Sequence, residues 1–413
     1  MNIFYNLLIL IIKLNLHVLK YFNKKIYEFT EERKNVFDKL KSHISEDKKY
    51  IWIHVASLGE YEQGLPIFKE IKSLYKDHKI ILSFFSASGY KVRKNNPISD
   101  LTVYLPLDST NNAKRFIDLI NPQIAIFVKY EFWPNFLKYL SKKKTPTYLI
   151  AGVFRENHWF FKPYGFWMKN NLKAFDHFFV QNQNSKNILN KHNFNNCSVM
   201  GDSRFERVVE IPKQDNQVKY ISEFKSYKKC IVAGSTWEED EKIIINFINN
   251  YKKEDVCYII VPHQIDLKKI SKTKSLINEK TILMSEINKI NALECSVIIV
   301  DSIGILTSLY NYADIAYVGG GMGNSGLHNT LEPAVFKIPV IVGKNFEKFH
   351  EVSELINLKG FISIKNYHTF KTELIDLINN KKTRDKMGQI NYKYILNKIG
   401  ASEKVITYLK QKK

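Results

Sequence analysis

The sequence contains little arginine and little cysteine, and each shortage argues against a class of protein. Seven of the 62 basic residues are arginine, although the net charge is +21, so the basic character comes from lysine spread along the chain. A nucleic-acid groove clusters arginine and lysine with stacking aromatic side chains, and the sequence shows no such stripe. The four cysteines form no C-x-x-C pair, which excludes a disulfide framework and the common zinc motifs.

The sequence does contain enough apolar material for true cores. Of the 413 residues, 45% are apolar and 13% aromatic, which excludes a disordered chain and favours two or three domains. From Lys49 onwards, short β-branched runs alternate with amphipathic stretches, a pattern typical of α/β layers with parallel sheets. The predicted strands are Tyr50–His54, Ile80–Phe84, Ile124–Val128, Thr147–Ile150, His177–Val180, Cys230–Ala233, Val256–Val261, Val297–Val300, Ile315–Val318 and Pro339–Val342.

The alternation is interrupted at residues 213–227, a polar stretch without a strong period that follows Pro212. We therefore predict two doubly wound, Rossmann-like domains at 36–212 and 228–413, joined by a linker at 213–227. The C-terminal helices are assigned to the second domain. Ligands in such folds bind at the carboxyl ends of the strands, and two domains of similar size suit a transferase with two substrates.

Residues 1–35 are predicted to form a separate N-terminal helix. Ile3–Ile12 is apolar except for Asn6, and Lys13 ends a run that is about half as long as a bilayer span. We expect a helix that dips into or lies along a membrane, with its lysines toward an anionic surface. A helix buried in the protein core is the alternative.

Two carboxylates follow predicted strands in the first domain. Ser57 and Gly59 precede Glu60 after the first strand, where glycine permits a tight turn, and Glu131 follows the strand that ends at Val128. A carboxylate at a strand end can accept a proton from a substrate hydroxyl if desolvation raises its pKa. The alternatives are that Glu60 only favours a helix dipole and that the placement of Glu131 is coincidence.

A third charged residue of the first domain is Arg204, which stands in Gly201-Asp-Ser-Arg204 just before the linker. Its guanidinium could bind a phosphate, or a developing negative charge, in bidentate fashion. The alternative is a salt bridge between the domains.

Two strand ends of the second domain are candidate ligand loops. Gly319, Gly320 and Gly321 follow a strand, so we expect their N–H groups to approach a phosphate, with Glu332 accepting hydrogen bonds from ribose hydroxyls. Ser235 and Thr236 also follow a strand. A capping box with Glu238 or Glu239 explains them, and a phosphate site is the alternative.

Eight segments, in this order, resemble the 3-deoxy-D-manno-octulosonic acid (Kdo) transferase family, membrane-associated glycosyltransferases of GT-B architecture. The resemblance extends to about residue 350. The segments are IWIHVASLGE, YLPLDSTNNAKRFIDLINP, KYEFWPN, GDSRFERV, AGSTWEEDE, VPHQ, DSIGILTSLY and GGGMGNSGLHNTLEPAVFKIPVIVG.

The resemblance implies transfer of Kdo from CMP-Kdo to a lipid A precursor (lipid IVA), an anionic acylated disaccharide, in lipopolysaccharide core biosynthesis. The reaction would take place at the cytoplasmic face of the inner membrane. It would be inverting, with no metal and no cofactor, and the first domain would bind the acceptor. The resemblance makes Glu60 the general base, Glu131 a second essential carboxylate and Arg204 the cation that stabilises the transition state. The implied CMP contacts are Pro262, His263, Ile303, Gly304, Ile305, Asn329, Thr330, Leu331 and Glu332.

The chain also departs from the family pattern. Pro262-His263-Gln264 replaces the usual Pro-Arg-His, which removes a fixed positive charge near the nucleotide phosphate. Ile303-Gly304-Ile305 replaces Met-Gly-Glu, and Lys129 stands where an acidic residue is common. Arg204 replaces the usual lysine and keeps its charge. The alternatives are a GT-B enzyme that uses a UDP-sugar on another envelope glycolipid, an RNA-binding protein, and a membrane-bound scaffold with a degenerate site.

Overall fold

The computed structural model describes residues 2–412, and the chain divides into two compact units. The first unit comprises Met1–Arg207 together with Ile399–Lys413, and the second comprises Val208–Lys398. Each unit contains a seven-stranded sheet in which all recorded strand pairs are parallel. The α/β class and the two doubly wound sheets are therefore confirmed.

The sheet of the first unit has the order β3-β2-β1-β4-β5-β6-β7. Its strands are β1 Lys49–Val55, β2 His78–Phe84, β3 Leu101–Tyr104, β4 Ile124–Val128, β5 Thr147–Gly152, β6 His177–Val180 and β7 Cys197–Val199. Three helices precede β1, and most of the others lie between strands. The helices are α1 Asn2–Leu19, α2 Lys24–Lys34, α3 Val36–His43, α4 Leu58–Leu74, α5 Ala87–Arg93, α6 Thr110–Ile120, α7 Pro134–Lys143, α8 Phe166–Asn171, α9 Gln183–Lys191 and α10 Arg204–Val209.

The sheet of the second unit has the order β10-β11-β9-β8-β12-β13-β14. Its strands are β8 Lys229–Thr236, β9 Val256–Pro262, β10 Thr281–Leu283, β11 Val297–Ile299, β12 Ile315–Val318, β13 Val340–Val342 and β14 Phe361–Ser363. Its helices are α11 Ile221–Lys225, α12 Glu238–Asn250, α13 Leu267–Ser275, α14 Lys289–Glu294, α15 Leu306–Leu309, α16 Leu331–Ala334, α17 His350–Asn357, α18 Tyr367–Asn379 and α19 Lys381–Asn397. The last helix of the chain is α20, Ala401–Lys412.

Both faces of the first sheet are buried, because alternate residues of each strand point to opposite sides. In β1, Tyr50 and Trp52 belong to one apolar core, whereas Ile51, Ile53 and Val55 belong to the other. The direction of chain winding reverses between β1 and β4 in the first unit and between β8 and β12 in the second. A ligand crevice is expected outside the carboxyl ends of those strands.

Two of the predicted domain boundaries differ from the structure. The last residues were assigned to the second domain, but α20 packs on α4 and inserts Val405 and Leu409 into a core of the first unit. Glu206 fixes the start of this helix by accepting hydrogen bonds from the N–H groups of Gly400 and Ser402. The apolar residues of α20 recur at helical spacing and need a buried partner, which the first sheet supplies.

The segment predicted as a linker, 213–227, is partly packed into the second unit. Ile221 and Phe224 of α11 are completely buried, and Tyr312 accepts a hydrogen bond from the Val218 N–H group. The two apolar residues lie three positions apart on one helix face, so a single turn of helix is enough to bury both.

The N-terminal helix α1 is tied to the first unit by polar contacts near its start. Tyr5 Oη donates to Asp108 Oδ2 at 2.8 Å, and Asn135 Nδ2 donates to Asn6 Oδ1 at 2.9 Å. Most apolar side chains along the helix are exposed, with Leu14 60% and Val18 57% accessible, which does not fit a helix buried in the core. No single described helix is long and apolar enough to span a membrane; the pair formed by Phe4–Leu19 and Lys24–His43, bent by 115°, meets the length and composition criteria together.

Candidate active site

Glu60 lies in the first turn of α4, immediately beyond the carboxyl end of β1. Ser57 caps this helix by accepting the Glu60 N–H, and Glu60 Oε2 accepts the Ala56 N–H at 2.5 Å, so the side chain folds back over the strand end. Burial raises the pKa of Glu60, and the neighbouring carboxylate of Glu131 raises it further. A carboxylate with a raised pKa is a better proton acceptor, as a general base requires.

Glu131 lies in the turn between β4 and α7, and β4 is a strand that pairs with β1. Its side chain is only 13% exposed. Trp133 Nε1 donates to Glu131 Oε2 at 2.9 Å, and His54 Nε2 lies 3.1 Å from the same oxygen. Lys129 has a positive φ of 62°, which turns the chain sharply out of β4. The turn therefore directs the Glu131 carboxylate back toward the end of β1.

Arg204 begins α10 and forms an ion pair with Asp202, at 2.8 Å from Nε and 2.7 Å from the terminal nitrogen. The turn is anchored to α4, because Gln63 Nε2 donates to Asp202 Oδ1 at 3.3 Å. Lys129 interacts electrostatically with both Glu60 and Arg204, and its burial lowers its pKa. The structure thus brings Glu60, Glu131 and Arg204 to one edge of the first sheet.

In the second unit, Glu332 is held by two neutral side chains. Thr307 Oγ1 donates to Glu332 Oε2 and Asn329 Nδ2 donates to Glu332 Oε1, both at 2.9 Å. Thr330 and Leu331 are buried, whereas Asn329 is exposed. Helix α16 begins at Leu331, so Glu332 lies in its first turn.

The turn Ile303-Gly304-Ile305 stands just before α15, the helix that carries Thr307. Ile303 is 89% exposed. Gly304 has a φ of +101° and has open space where a Cβ would stand. With two apolar side chains and a glycine, this exposed turn offers a polar ligand mainly its backbone groups.

The glycines after β12 serve close packing more than ligand approach. A Cβ on Gly319 would lie 2.4 Å from the Ser235 carbonyl oxygen. The Gly319 N–H donates to the Gly234 carbonyl, and the Gly320 N–H donates to Asp240 at 2.8 Å. Gly321 packs against Gly343. The N–H groups of Gly319 and Gly320 were expected to face a phosphate, but both are already bonded within the protein.

Asp240 is the residue that organises this loop. It is completely buried and accepts hydrogen bonds from the Trp237 N–H at 3.0 Å and from Tyr317 Oη at 2.6 Å, besides Gly320. Burial raises its pKa despite these bonds. The predicted capping boxes on Ser235 and Thr236 are wrong, because α12 begins at Glu238 and Asp240 supplies the capping carboxylate; Thr236 Oγ1 instead donates to Glu241.

Three aromatic rings stack beside this loop. Trp237 and His263 lie 4.7 Å apart between ring centres, and His263 and His328 lie 4.3 Å apart. Trp237 Nε1 donates to His328 Nε2 at 3.0 Å, and burial lowers the pKa of His328 to about 4, so this imidazole is neutral at pH 7. Pro262 ends β9 next to this stack, and Thr236, Trp237 and Pro262 line a cavity of about 360 Å³.

Sequence reasoning gave no role to His54, Trp133, Trp237, His328 or Asp240. Position is the signal that could have found Trp133, Trp237 and Asp240, because each lies shortly after a strand end at which a ligand crevice is expected. His54 lies inside β1 and His328 far along the loop after β12, so position gives no signal for either. Across residues 2–412, no group of three or more His, Cys, Asp and Glu side chains is arranged to hold a metal ion.

Comparison with known families gives one model match, described as 3-Deoxy-D-manno-octulosonic-acid transferase (kdotransferase), over residues 29–207. The 3-deoxy-D-manno-octulosonic acid transferase of Aquifex aeolicus is 31% identical over 348 residues, covering 83% of this chain and 90% of that protein. That of Haemophilus influenzae is 25% identical over 376 residues, covering 87% and 86%. A bifunctional glycosyltransferase/methyltransferase of Fusobacterium nucleatum is 27% identical over 351 residues, and the chain spans about half, 54%, of its length.

Solved structures resemble this chain in fold. The UDP-GlcNAc 2-epimerase of Neisseria meningitidis, bound to UDP-GlcNAc, gives a TM-score of 0.62 at 14% identity, with 88% of this chain and 100% of that chain covered. A glycosyltransferase of Rickettsia africae gives 0.56 at 16% identity, with 88% and 98% covered. At these identities the likeness establishes the two-domain α/β fold and carries no argument about substrate.

Proposed function

This chain belongs to the 3-deoxy-D-manno-octulosonic acid (Kdo) transferase family, and from that premise we propose that it transfers Kdo from CMP-Kdo to lipid IVA. The identity of the transferred sugar is taken from the names of the relatives, which are 3-deoxy-D-manno-octulosonic acid transferases. The observation that carries the chemistry is the desolvated Glu60 beside Glu131, since burial and a like charge both raise the pKa of Glu60 toward the range of a useful base.

The proposed reaction is a single displacement. Glu60 takes the proton of the acceptor hydroxyl, and the oxygen forms a bond to the anomeric carbon of Kdo. The bond from that carbon to the phosphate oxygen breaks, and CMP leaves with the electron pair. Attack opposite the leaving group inverts the anomeric centre. Arg204, oriented by Asp202, stabilises the negative charge that develops, and no metal takes part.

The second unit is proposed to hold the nucleotide. Glu332 would accept hydrogen bonds from the ribose hydroxyls, and the exposed turn Ile303-Gly304-Ile305 would contact CMP through its backbone. Pro262 and His263 would border the phosphate. Histidine stands at this position in place of a fixed cation. We therefore expect the affinity for CMP-Kdo to depend mainly on contacts with uncharged groups, among them the rings of Trp237 and His328.

We place the reaction at the cytoplasmic face of the inner membrane. The exposed apolar side chains of α1 and α2 are interspersed with lysines, and the chain carries a net charge of +21. Both features favour an anionic lipid surface, on which an acylated, phosphorylated acceptor would be found. Flotation with vesicles tests this point: binding to anionic vesicles that weakens with salt is expected, and equal binding to neutral vesicles contradicts it.

The decisive experiment incubates the full-length protein with CMP-Kdo and lipid IVA and measures product mass. We expect addition of Kdo, unchanged by EDTA. Parallel reactions with UDP-sugars test the alternative donor class. Transfer from a UDP-sugar but not from CMP-Kdo would overturn the proposal.

A further inference from the structure

His54 is the completely buried histidine of β1, and it lies between two polar groups on neighbouring strands. In the parallel register it is directly opposite Ser83 of β2. His54 Nδ1 lies 2.9 Å from Ser83 Oγ, and His54 Nε2 lies 3.1 Å from Glu131 Oε2. Trp52 Nε1 donates to the same Ser83 oxygen at 2.8 Å.

These contacts determine which ring nitrogen carries the proton. Trp52 can only donate, so its bond occupies one acceptor position of Ser83 Oγ. The serine hydroxyl proton therefore still needs an acceptor of its own. The Ile53 carbonyl is 3.5 Å away, too long for a good O–H bond, whereas His54 Nδ1 is well placed to accept. The imidazole then carries its proton on Nε2 and donates it to Glu131.

The same assignment agrees with the position of Trp133. Its Nε1 lies 2.9 Å from Glu131 Oε2 and 3.0 Å from His54 Nε2. If Nε2 carries a proton, the indole N–H donates to the carboxylate, which then accepts two bonds on one oxygen. If Nε2 lacked the proton, it would face the lone pairs of the carboxylate at 3.1 Å, which is unfavourable unless Glu131 is protonated.

We propose that His54 is a positioning residue for sugar transfer, whose Nε2–H holds the Glu131 carboxylate in place just beyond the end of the neighbouring strand. This inference rests on the proposed function of the Glu60–Glu131 pair. It accounts for a completely buried histidine near the carboxyl end of an apolar strand, where a histidine without partners would be costly.

The charged groups around Glu131 do not replace the contact that His54 makes with it. Glu60 lies beside Glu131 on α4, and Lys129 precedes it on its own turn. Arg204 and Asp202 face Lys129 from the start of α10. None of these groups replaces an N–H donor at Oε2. Without the imidazole, the Glu131 carboxylate loses one of the two N–H donors at Oε2 and is free to turn away from the end of β1, so kcat falls.

A matched pair of substitutions tests this inference. His54→Gln places an amide N–H near the position of Nε2, whereas His54→Asn reaches only the position of Nδ1. Both put an amide of similar polarity in the same buried place. We expect the glutamine variant to stay within about threefold of wild-type kcat. The asparagine variant should lose about tenfold in kcat, because its shorter amide does not reach Glu131 Oε2. The KM for CMP-Kdo should be unchanged in both.

Equal kcat values for the two variants would overturn the inference. If thermal melting shows that either variant is unfolded, the tautomer of His54 in the wild-type protein decides the inference instead.

A spectroscopic measurement separates this inference from the proposed function. Long-range proton–nitrogen correlation spectra of the ¹⁵N-histidine-labelled protein report which ring nitrogen is protonated, and the His54 signal is the one missing from the His54→Gln spectrum. We expect the Nε2–H tautomer. Finding the Nδ1–H tautomer refutes the inference even if Kdo is transferred; finding Nε2–H in a protein that transfers no Kdo refutes only the proposed function.

Discussion

Each unit places a buried aspartate beneath the turn that follows a central strand, and the comparison shows what each turn is built to do. In the first unit, Asp108 accepts the N–H groups of Asn135 and Phe136 at the start of α7, both at 3.0 Å. In the second, Asp240 accepts the N–H groups of Trp237 and Gly320. Both carboxylates are completely buried, and both fix a strand-to-helix connection at the point where chain winding reverses.

What the two turns carry is different. The edge of the first sheet carries ionisable side chains that perturb one another: Glu60 with a raised pKa and Lys129 with a lowered one. The edge of the second sheet carries Glu332, the buried Asp240, closely packed glycines and stacked aromatic rings, with His328 uncharged at pH 7. Charge held out of water suits proton transfer, whereas rigid neutral surfaces suit recognition.

The comparison predicts the largest effect for Glu60→Gln. Loss of a general base typically costs about 10²- to 10⁴-fold in rate, so we expect kcat to fall about 10³-fold. Affinity for CMP should be unchanged, because the nucleotide contacts lie in the other unit. Activity assays together with calorimetric CMP titration measure both quantities.

The control for this prediction is Glu70→Gln, an exposed residue of the same helix, which should behave as wild type. Near-normal turnover by Glu60→Gln would show that the first unit does not carry the base, and the division of labour between the units would fail.

Glu332→Gln tests the second unit and should have the opposite pattern. The amide loses the charged acceptor for ribose hydroxyls and presents an N–H group to Thr307 or Asn329, so CMP affinity should fall about 10- to 100-fold. The effect on kcat at saturating donor should be small. Glu347→Gln, at an exposed position of the same unit, is the control. A loss confined to kcat would place Glu332 in the chemistry rather than in recognition.

Gly319→Ala tests the close packing that distinguishes the second unit. The new Cβ would lie 2.4 Å from a backbone oxygen of β8, and forced overpacking costs about 1–3 kcal/mol. Urea denaturation should show this loss of stability. Gly59→Ala in the first unit is the matched change, since only Ser57 Oγ lies within 4.0 Å there. It should be neutral, and equal losses at both positions would remove the distinction.

The central strands of both sheets could be predicted from the sequence, and the edge strands could not. All ten predicted strands are present, within three residues at each end. The four that were missed are β3, β7, β10 and β14, and each is the outermost strand of its sheet. They are three or four residues long. The predicted strands β6, β11, β12 and β13 are equally short, but every residue in them is buried, whereas β7, β10 and β14 include partly exposed residues. A short strand without a continuous apolar run gives no clear signal, and tertiary pairing decides its conformation.

The candidate site shows the same limit. Glu60 and Glu131 could be found because each follows a strong apolar strand with a turn signal. His54 could not, because in the sequence it is one polar residue inside an apolar strand, and its value comes from Ser83 and Glu131 on neighbouring strands. The glycine loop was misjudged for a related reason. Sequence shows that glycines are present, whereas the atoms that require them lie on β8 and β13.

The smallest predicted effect is on the free energy of unfolding. Its sign should differ between a substitution of Glu60 at the edge of the first sheet and one of Glu332 at the edge of the second. Burial and Glu131 raise the pKa of Glu60 above its usual value, so the folded state holds this proton more tightly than the unfolded state. As pH rises from the unfolded pKa to the folded one, the native protein loses stability, and above both values the cost of the buried charge is fully present.

Glu60→Gln removes that charge, and its amide oxygen can still accept the Ala56 N–H. The variant should therefore be more stable than wild type at pH 8, by about 0.5–1 kcal/mol, and the difference should shrink as pH approaches 4.5. The same substitution at Glu332 removes a carboxylate that accepts hydrogen bonds from Thr307 and Asn329, and it should destabilise the protein. Denaturation curves at both pH values measure the two signs. A stabilising Glu332→Gln would mean that Glu332, like Glu60, is held at a cost, as a group for acid–base chemistry is.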